Sequence, residues 1–179
     1  MDFKTHNIDW DFDISDVWVF PGSFNPLHDG HVGILREVTL THGFAVFEIS
    51  KVNVEKPTLT DDEVTRRLSL FGDYPAIVTE APRFVDKLKY GARKFVVGAD
   101  TLHRIMWHFP VQDIMDLESS GVKFIVSPRN DMLEDRNLYK FTCDLPKQCR
   151  ILIGNMVVDV LNYKSPLSST QIRKEQNEK

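Results

Sequence analysis

The residues with the clearest chemical potential are His28 and His31, which close the run Gly22-Ser23-Phe24-Asn25-Pro26-Leu27-His28-Asp29-Gly30-His31. Val17-Trp18-Val19-Phe20 before the run reads as a strand and the residues after it as a helix. The glycine-bearing turn between them therefore aims backbone N–H groups and the positive end of a helix dipole at one point, which is a place for phosphate. The two imidazoles can flank the same anion as neutral or charged hydrogen-bond donors, and Gly30 carries no side chain to hold a nucleotide away. Taken singly, one histidine would cap the helix and the other would fill a niche in the core. The glycine turn ahead of them favours the phosphate role.

A second group of the same kind lies near the other end, in Leu167-Ser168-Ser169-Thr170-Gln171-Ile172-Arg173. Hydroxyls and free N–H groups at the start of a final helix can grip phosphates, with Arg173 one turn in as a forked cation. Alone, this would read as a helix cap followed by a solvated arginine.

Together the two motifs carry a resemblance. Gly22-Ser23-Phe24-Asn25-Pro26 with His28-x-Gly30-His31 resembles the signature of the nucleotidyltransferase superfamily of adenylyl- and cytidylyltransferases. Leu167 to Arg173 resembles the Ile-Ser-Ser-Thr-x-Ile-Arg motif of nicotinamide and nicotinate mononucleotide adenylyltransferases, departing in Leu167 for Ile.

The resemblance implies transfer of AMP from ATP to a pyridine mononucleotide, giving NAD or its deamido form plus pyrophosphate, with Mg²⁺ held mainly by phosphates and water. It implies that His28, His31 and Arg173 are catalytic, and that Gly22, Ser23, Phe24, Gly30, Gly98, Asp100, Ser168, Ser169 and Thr170 bind ATP. Asp100, in Gly98-Ala99-Asp100, would accept ribose hydroxyls or cap a helix. On the acceptor side the resemblance implies Asn25, Lys56 (with Lys51 in reserve) and Arg67, although an Arg66-Arg67 surface pair is an alternative. It further implies an aromatic ring stacked on the pyridine: Trp107, with Phe109 or Phe84 as substitutes. Arg129 is a weaker candidate. No residues are implied as metal ligands.

Other functions stay open. Phosphopantetheine adenylyltransferases typically replace the first histidine by threonine, and cytidylyltransferases typically end in a different motif. A non-catalytic nucleotide sensor would keep the pocket without turnover. A class I aminoacyl-tRNA synthetase is disfavoured by the short, acidic chain.

Composition limits the setting. The 179 residues, 42% hydrophobic and 27% charged, suit one nucleotidyltransferase domain spanning 1–179. A net charge of −4 gives no general reason to bind nucleic acid or an anionic membrane, so a phosphate site must be locally basic. Neither a leader-like N-terminus nor a bilayer-length apolar run is present in the sequence, and a cytoplasmic setting is expected. Cys143 and Cys149 are too few for a disulfide framework. Oligomeric state is left open, a homo-oligomer included.

The elements that must hold these residues read as alternating strand and helix. Val17–Phe20, Ala45–Ile49, Phe95–Val97 and Phe124–Val126 read as buried parallel strands, with Ile77–Val78 shorter and Ile151–Ile153 a last one. Helical patterns fall at His31–Thr41, Asp61–Phe71, Pro82–Lys89, Thr101–Met106 and Gln112–Ser119, and Thr60-Asp61-Asp62-Glu63 marks a capped start. The expected fold is a doubly wound, Rossmann-like α/β sheet, with ligands outside the carboxyl ends of its strands. Residues 1–15 read as an arm, Asn130–Gln148 as a connector and Lys174–Lys179 as a polar tail.

Overall fold

The computed structural model describes residues 3–128 and 147–161. The strands are β1 (Lys4–His6), β2 (Trp18–Pro21), β3 (Ala45–Ser50), β4 (Ala76–Thr79), β5 (Lys94–Gly98), β6 (Lys123–Ser127) and β7 (Val157–Val160). The helices are α1 (Asp29–Thr41), α2 (Asp61–Leu68), α3 (Phe84–Lys87), α4 (Ala99–His108), α5 (Val111–Ser119) and α6 (Lys147–Met156). The strands form one sheet in the order β1-β4-β3-β2-β5-β6-β7. All neighbours are parallel except β1 with β4.

Both sheet faces are covered, as parallel strands that are apolar on both sides require. Trp18, Phe20, Phe47, Val96 and Ile125 pack with Ile34, Leu35 and Val38 of α1 on one face. Val19, Val46, Phe95, Val97, Phe124 and Val126 pack on the other with Leu102 and Ile105 of α4, Ile114 and Leu117 of α5 and Ile153 of α6. The chain runs outward from β2 through β3 to β4, then returns to β5 beside β2 and proceeds through β6 to β7. The strand order therefore reverses between β2 and β5, and that crevice is where such sheets bind ligands.

Three sequence readings are corrected. Ile151–Ile153 is not a strand: it lies within α6, where Cys149, Ile153 and Met156 are buried at helical spacing while Ile151 faces solvent. A short apolar run satisfies either period, and the spacing of its neighbours decides. The last described strand is β7, just beyond. The arm 1–15 contributes β1, which pairs antiparallel at the sheet edge, and a 3-10 turn at Ile14–Asp16. The helix expected over Pro82–Lys89 divides into α3 and a 3-10 turn, Leu88–Tyr90, that ends at Gly91 with φ 96°. Most of the connector Asn130–Gln148 and the tail lie outside the described residues.

Candidate active site in the crevice between β2 and β5

Two chain segments meet at the crevice: the turn from β2 into α1, and the passage from β5 straight into α4. Gly22 begins the turn, its N–H donating to the Glu48 carbonyl at 3.1 Å. A Cβ there would lie 2.8 to 3.1 Å from three atoms of the Phe24 ring. Phe24 itself has φ 44° and turns its ring inward against Phe20, Phe47 and Phe71. Of the residues expected to bind ATP, Phe24 thus offers its backbone alone, its side chain being core.

Arginines from α2 hold the turn from outside. Thr60 caps α2 by accepting the Glu63 N–H at 3.1 Å, and Glu63 accepts from Arg66 at 2.7 Å and Arg67 at 2.8 Å. These two guanidiniums pull the Glu63 carboxyl down to about 2. Arg67 also donates to the Ser23 carbonyl at 3.1 Å and is 11% exposed, while Arg66 donates to Asn25 Oδ1 at 2.9 Å. Arg66 is exposed, at 52%, whereas Arg67 is not, and both reach the turn.

At its far end, His28 occupies the N-cap of α1. His28 Nδ1 accepts the N–H groups of Gly30 at 3.0 Å and His31 at 3.4 Å, and His31 Nδ1 accepts the His28 N–H at 3.2 Å. The rings stack with centroids 3.6 Å apart. A nitrogen that accepts carries no proton, so each imidazole is neutral with its proton on Nε2. Burial, and then the repulsion that charging both stacked rings would bring, depress His31 to about 3, and burial lowers His28. Among the described residues neither Nε2 has a hydrogen-bond partner. The helix-capping and phosphate-binding roles are thus compatible: Nδ1 caps, and Nε2–H is left to donate.

The second segment presents an N-terminus. Gly98 is the N-cap of α4, no side chain caps it, and Asp100 stands in the first turn. The N-cap position expected for Asp100 is thus held by Gly98. Among the described residues, apart from its chain neighbours, a Cβ at Gly98 would meet nothing nearer than Thr101 Oγ1 at 3.9 Å. The packing of the described residues does not need glycine there.

Between these segments and α3 lies a cavity of about 540 Å³. Gly22, Ser23 and Gly98, expected at ATP, line it together with Lys56, Arg67, Phe84 and Phe109, expected at the acceptor. Asn25, His28, Gly30, His31 and Asp100 do not; the histidines stand beyond the Gly22-Ser23 turn, on α1, which covers the opposite sheet face. Lys51 is engaged by Asp61 at 2.6 Å. Ser168, Ser169, Thr170, Arg173 and Arg129 lie outside the described residues, as does the side chain of Trp107.

Sequence reasoning missed part of the wall. Arg104 and His108, one helical turn apart on α4, line the cavity, and so do Glu48 and Lys87. The signal for Glu48 was present: a carboxylate interrupts Ala45–Ile49, a run otherwise apolar, in a strand buried on both faces.

Residues 19–175 match the cytidylyltransferase-like family. The chain belongs to that family. No curated protein matches this cytidylyltransferase-like chain in sequence. Among solved structures it is similar to Plasmodium falciparum nicotinic acid mononucleotide adenylyltransferase complexed with NaAD, at 13% identity and TM-score 0.57 over 88% of this chain and 82% of that one. The same enzyme complexed with APC gives 16% identity and TM-score 0.53 over the same shares. At such identity the likeness shows the α/β, Rossmann-like fold alone.

Proposed function

We propose that this family member transfers AMP from ATP to a nicotinamide or nicotinate mononucleotide, forming NAD or deamido-NAD and pyrophosphate. The observation that carries the reading is the reciprocal pair His28–His31, whose caps leave two neutral Nε2–H donors at a helix N-terminus.

The mononucleotide's 5′-phosphate oxygen attacks the α-phosphorus of ATP. The new P–O bond forms as the bond to the bridging oxygen breaks, and the electron pair leaves with pyrophosphate. Little covalent help is needed, so the chain's work is positioning and charge stabilisation. His28 and His31 donate to the ATP phosphates and gain strength as charge develops there. The α4 N-terminus at Gly98 admits a nucleotide closely, since among the described residues no side chain fills the space. Asp100 receives ribose hydroxyls in this reading, and Ser168, Ser169, Thr170 and Arg173 hold the triphosphate.

The acceptor occupies the cavity on the other side of Gly22-Ser23. Lys56 and Arg67 meet its phosphate, and Phe84 and Phe109 give its ring an apolar wall. Trp107 remains a candidate partner for the ring on sequence grounds.

Among the described residues no cluster of His, Cys, Asp or Glu could hold a metal by itself. In this reading Mg²⁺ arrives with ATP, bound by phosphates and water, and would offset charge on the phosphates. Among the described residues, too, no helix is long and apolar enough to cross a membrane. The reaction is proposed for one domain spanning 1–179, in the cytoplasm. The direct test is chromatography of a mixture of chain, ATP and each mononucleotide: dinucleotide formation supports the proposal, and its absence with both rejects it.

A further inference from the structure

The buried floor of the cavity holds a polar network that the reaction above does not use. Glu48, Lys87 and Tyr90 come from β3, α3 and the 3-10 turn after it, and Glu48 and Lys87 are 1% and 3% exposed. Lys87 Nζ donates to Glu48 Oε1 and, at 2.6 Å, to the Ala81 carbonyl. Tyr90 donates its hydroxyl to Glu48 Oε2. Burial and then the Glu48 carboxylate raise the Tyr90 hydroxyl well above its ordinary range, so the phenol keeps its proton.

Donor arithmetic singles out Lys87. An ammonium has three N–H donors. Two are used, and the third has no partner among the described residues, although a buried charged donor left unmet is costly. Lys87 lines the cavity; Tyr90 does not. Its Nζ also lies 5.8 Å from the ring centroid of Phe84, which gives the proposed acceptor an apolar wall.

We propose that Lys87 is a specificity-determining residue, donating its third ammonium N–H to the oxygen of the carboxyl or carboxamide on the acceptor's pyridine ring. The inference rests on the function proposed above and deepens its acceptor side. Glu48 cancels the charge of Lys87, so the pair offers a directed donor without demanding an anion. Nicotinate and nicotinamide mononucleotides are thus both read through one oxygen.

A purely structural network would hold the α3 segment to β3 and leave the acceptor's affinity alone. Two measurements separate the readings. In the first, wild type, the double variant Lys87→Met with Glu48→Gln, and Tyr90→Phe are compared for mononucleotide KM and ATP affinity. The double substitution removes the donor without stranding a buried carboxylate. It is expected to raise the KM of both mononucleotides about tenfold to a hundredfold, the effect of losing a charged donor, with ATP affinity unchanged. Tyr90→Phe is expected to lower the melting temperature and leave both KM values unchanged.

The second measurement uses wild-type protein only and so does not depend on a variant folding. A pyridine mononucleotide lacking the ring substituent should bind wild type about tenfold or more weakly than nicotinamide mononucleotide. Equal binding of the two overturns the assignment, as does an unchanged KM in a folded double variant or an equal loss of ATP affinity there. If wild type forms dinucleotide with neither natural mononucleotide, the function falls as well, an outcome distinct from turnover that ignores Lys87.

Discussion

His28 and His31 cap each other: His28 Nδ1 accepts the His31 N–H at 3.4 Å, and His31 Nδ1 accepts the His28 N–H at 3.2 Å. One helix start thereby fixes two tautomers. Protonating either ring would place a proton where a backbone N–H already points, so the cap opposes the charged form and keeps both Nε2 atoms as donors.

His31→Ala is expected to lower kcat by about two to three powers of ten, with ATP affinity little changed, because a preorganised donor acts mainly on the transition state. Steady-state kinetics beside equilibrium ATP binding check this. A near-normal kcat would return His31 to the core.

His28→Asn separates capping from donation. Asparagine is a good N-cap, so stability should stay within about 1 kcal/mol of wild type, while the Nε2 donor and its share of turnover are lost. Urea unfolding and kinetics on this one variant decide the matter; equal preservation of both would assign His28 to the helix alone.

Stability should fall as pH drops below the ordinary histidine value. His31 is held down to about 3 when folded against 6.5 otherwise, so between those values the unfolded chain binds a proton that the native chain does not. The contribution is therefore intact above 6.5 and is lost progressively toward 3. Urea midpoints across that window should slope downward in wild type and less steeply in His31→Asn; identical slopes would rule out His31 as the cause.

Gly22→Ala would drive a methyl into the buried Phe24 ring, 2.8 Å from its nearest atom. The ring is enclosed by Phe20, Phe47 and Phe71, so relief requires the core or the turn to shift. The expected cost is about 1–3 kcal/mol, measured by denaturant unfolding. Gly98→Ala, whose methyl among the described residues would meet only Thr101 Oγ1 at 3.9 Å apart from its chain neighbours, should leave stability nearly unchanged and weaken nucleotide binding.

Arg67→Lys keeps a charge but loses the fork that reaches both Glu63 and the Ser23 carbonyl. The mononucleotide KM should rise roughly tenfold, the worth of one charged hydrogen bond. An unchanged KM would make the arginine a stabiliser of α2 only.

The sheet was legible in the sequence because β2, β3, β5 and β6 are short runs buried on both faces, a pattern that composition alone conveys. The β2–α1 turn was legible because glycine and two histidines are rare company. What escaped depends on tertiary context. Ile151–Ile153 has no period of its own, and only the burial of Cys149, Ile153 and Met156 sets α6 as a helix. The strand β1 is polar and short, and gains its structure from the free edge of β4. Glu48 was visible as an oddity in an apolar strand, yet its partners Lys87 and Tyr90 are 39 and 42 residues away and no spacing rule links them. The inward ring of Phe24 was equally hidden, since nothing in its neighbours announces φ 44°.

Pyrophosphate release decides whether this cytidylyltransferase-like chain joins AMP to a pyridine mononucleotide. ATP is supplied with nicotinate mononucleotide, with nicotinamide mononucleotide, or with no acceptor, and CTP replaces ATP in a parallel set. Pyrophosphate should appear from ATP with either mononucleotide and not without one. Silence with both mononucleotides, or release only from CTP, would contradict that transfer.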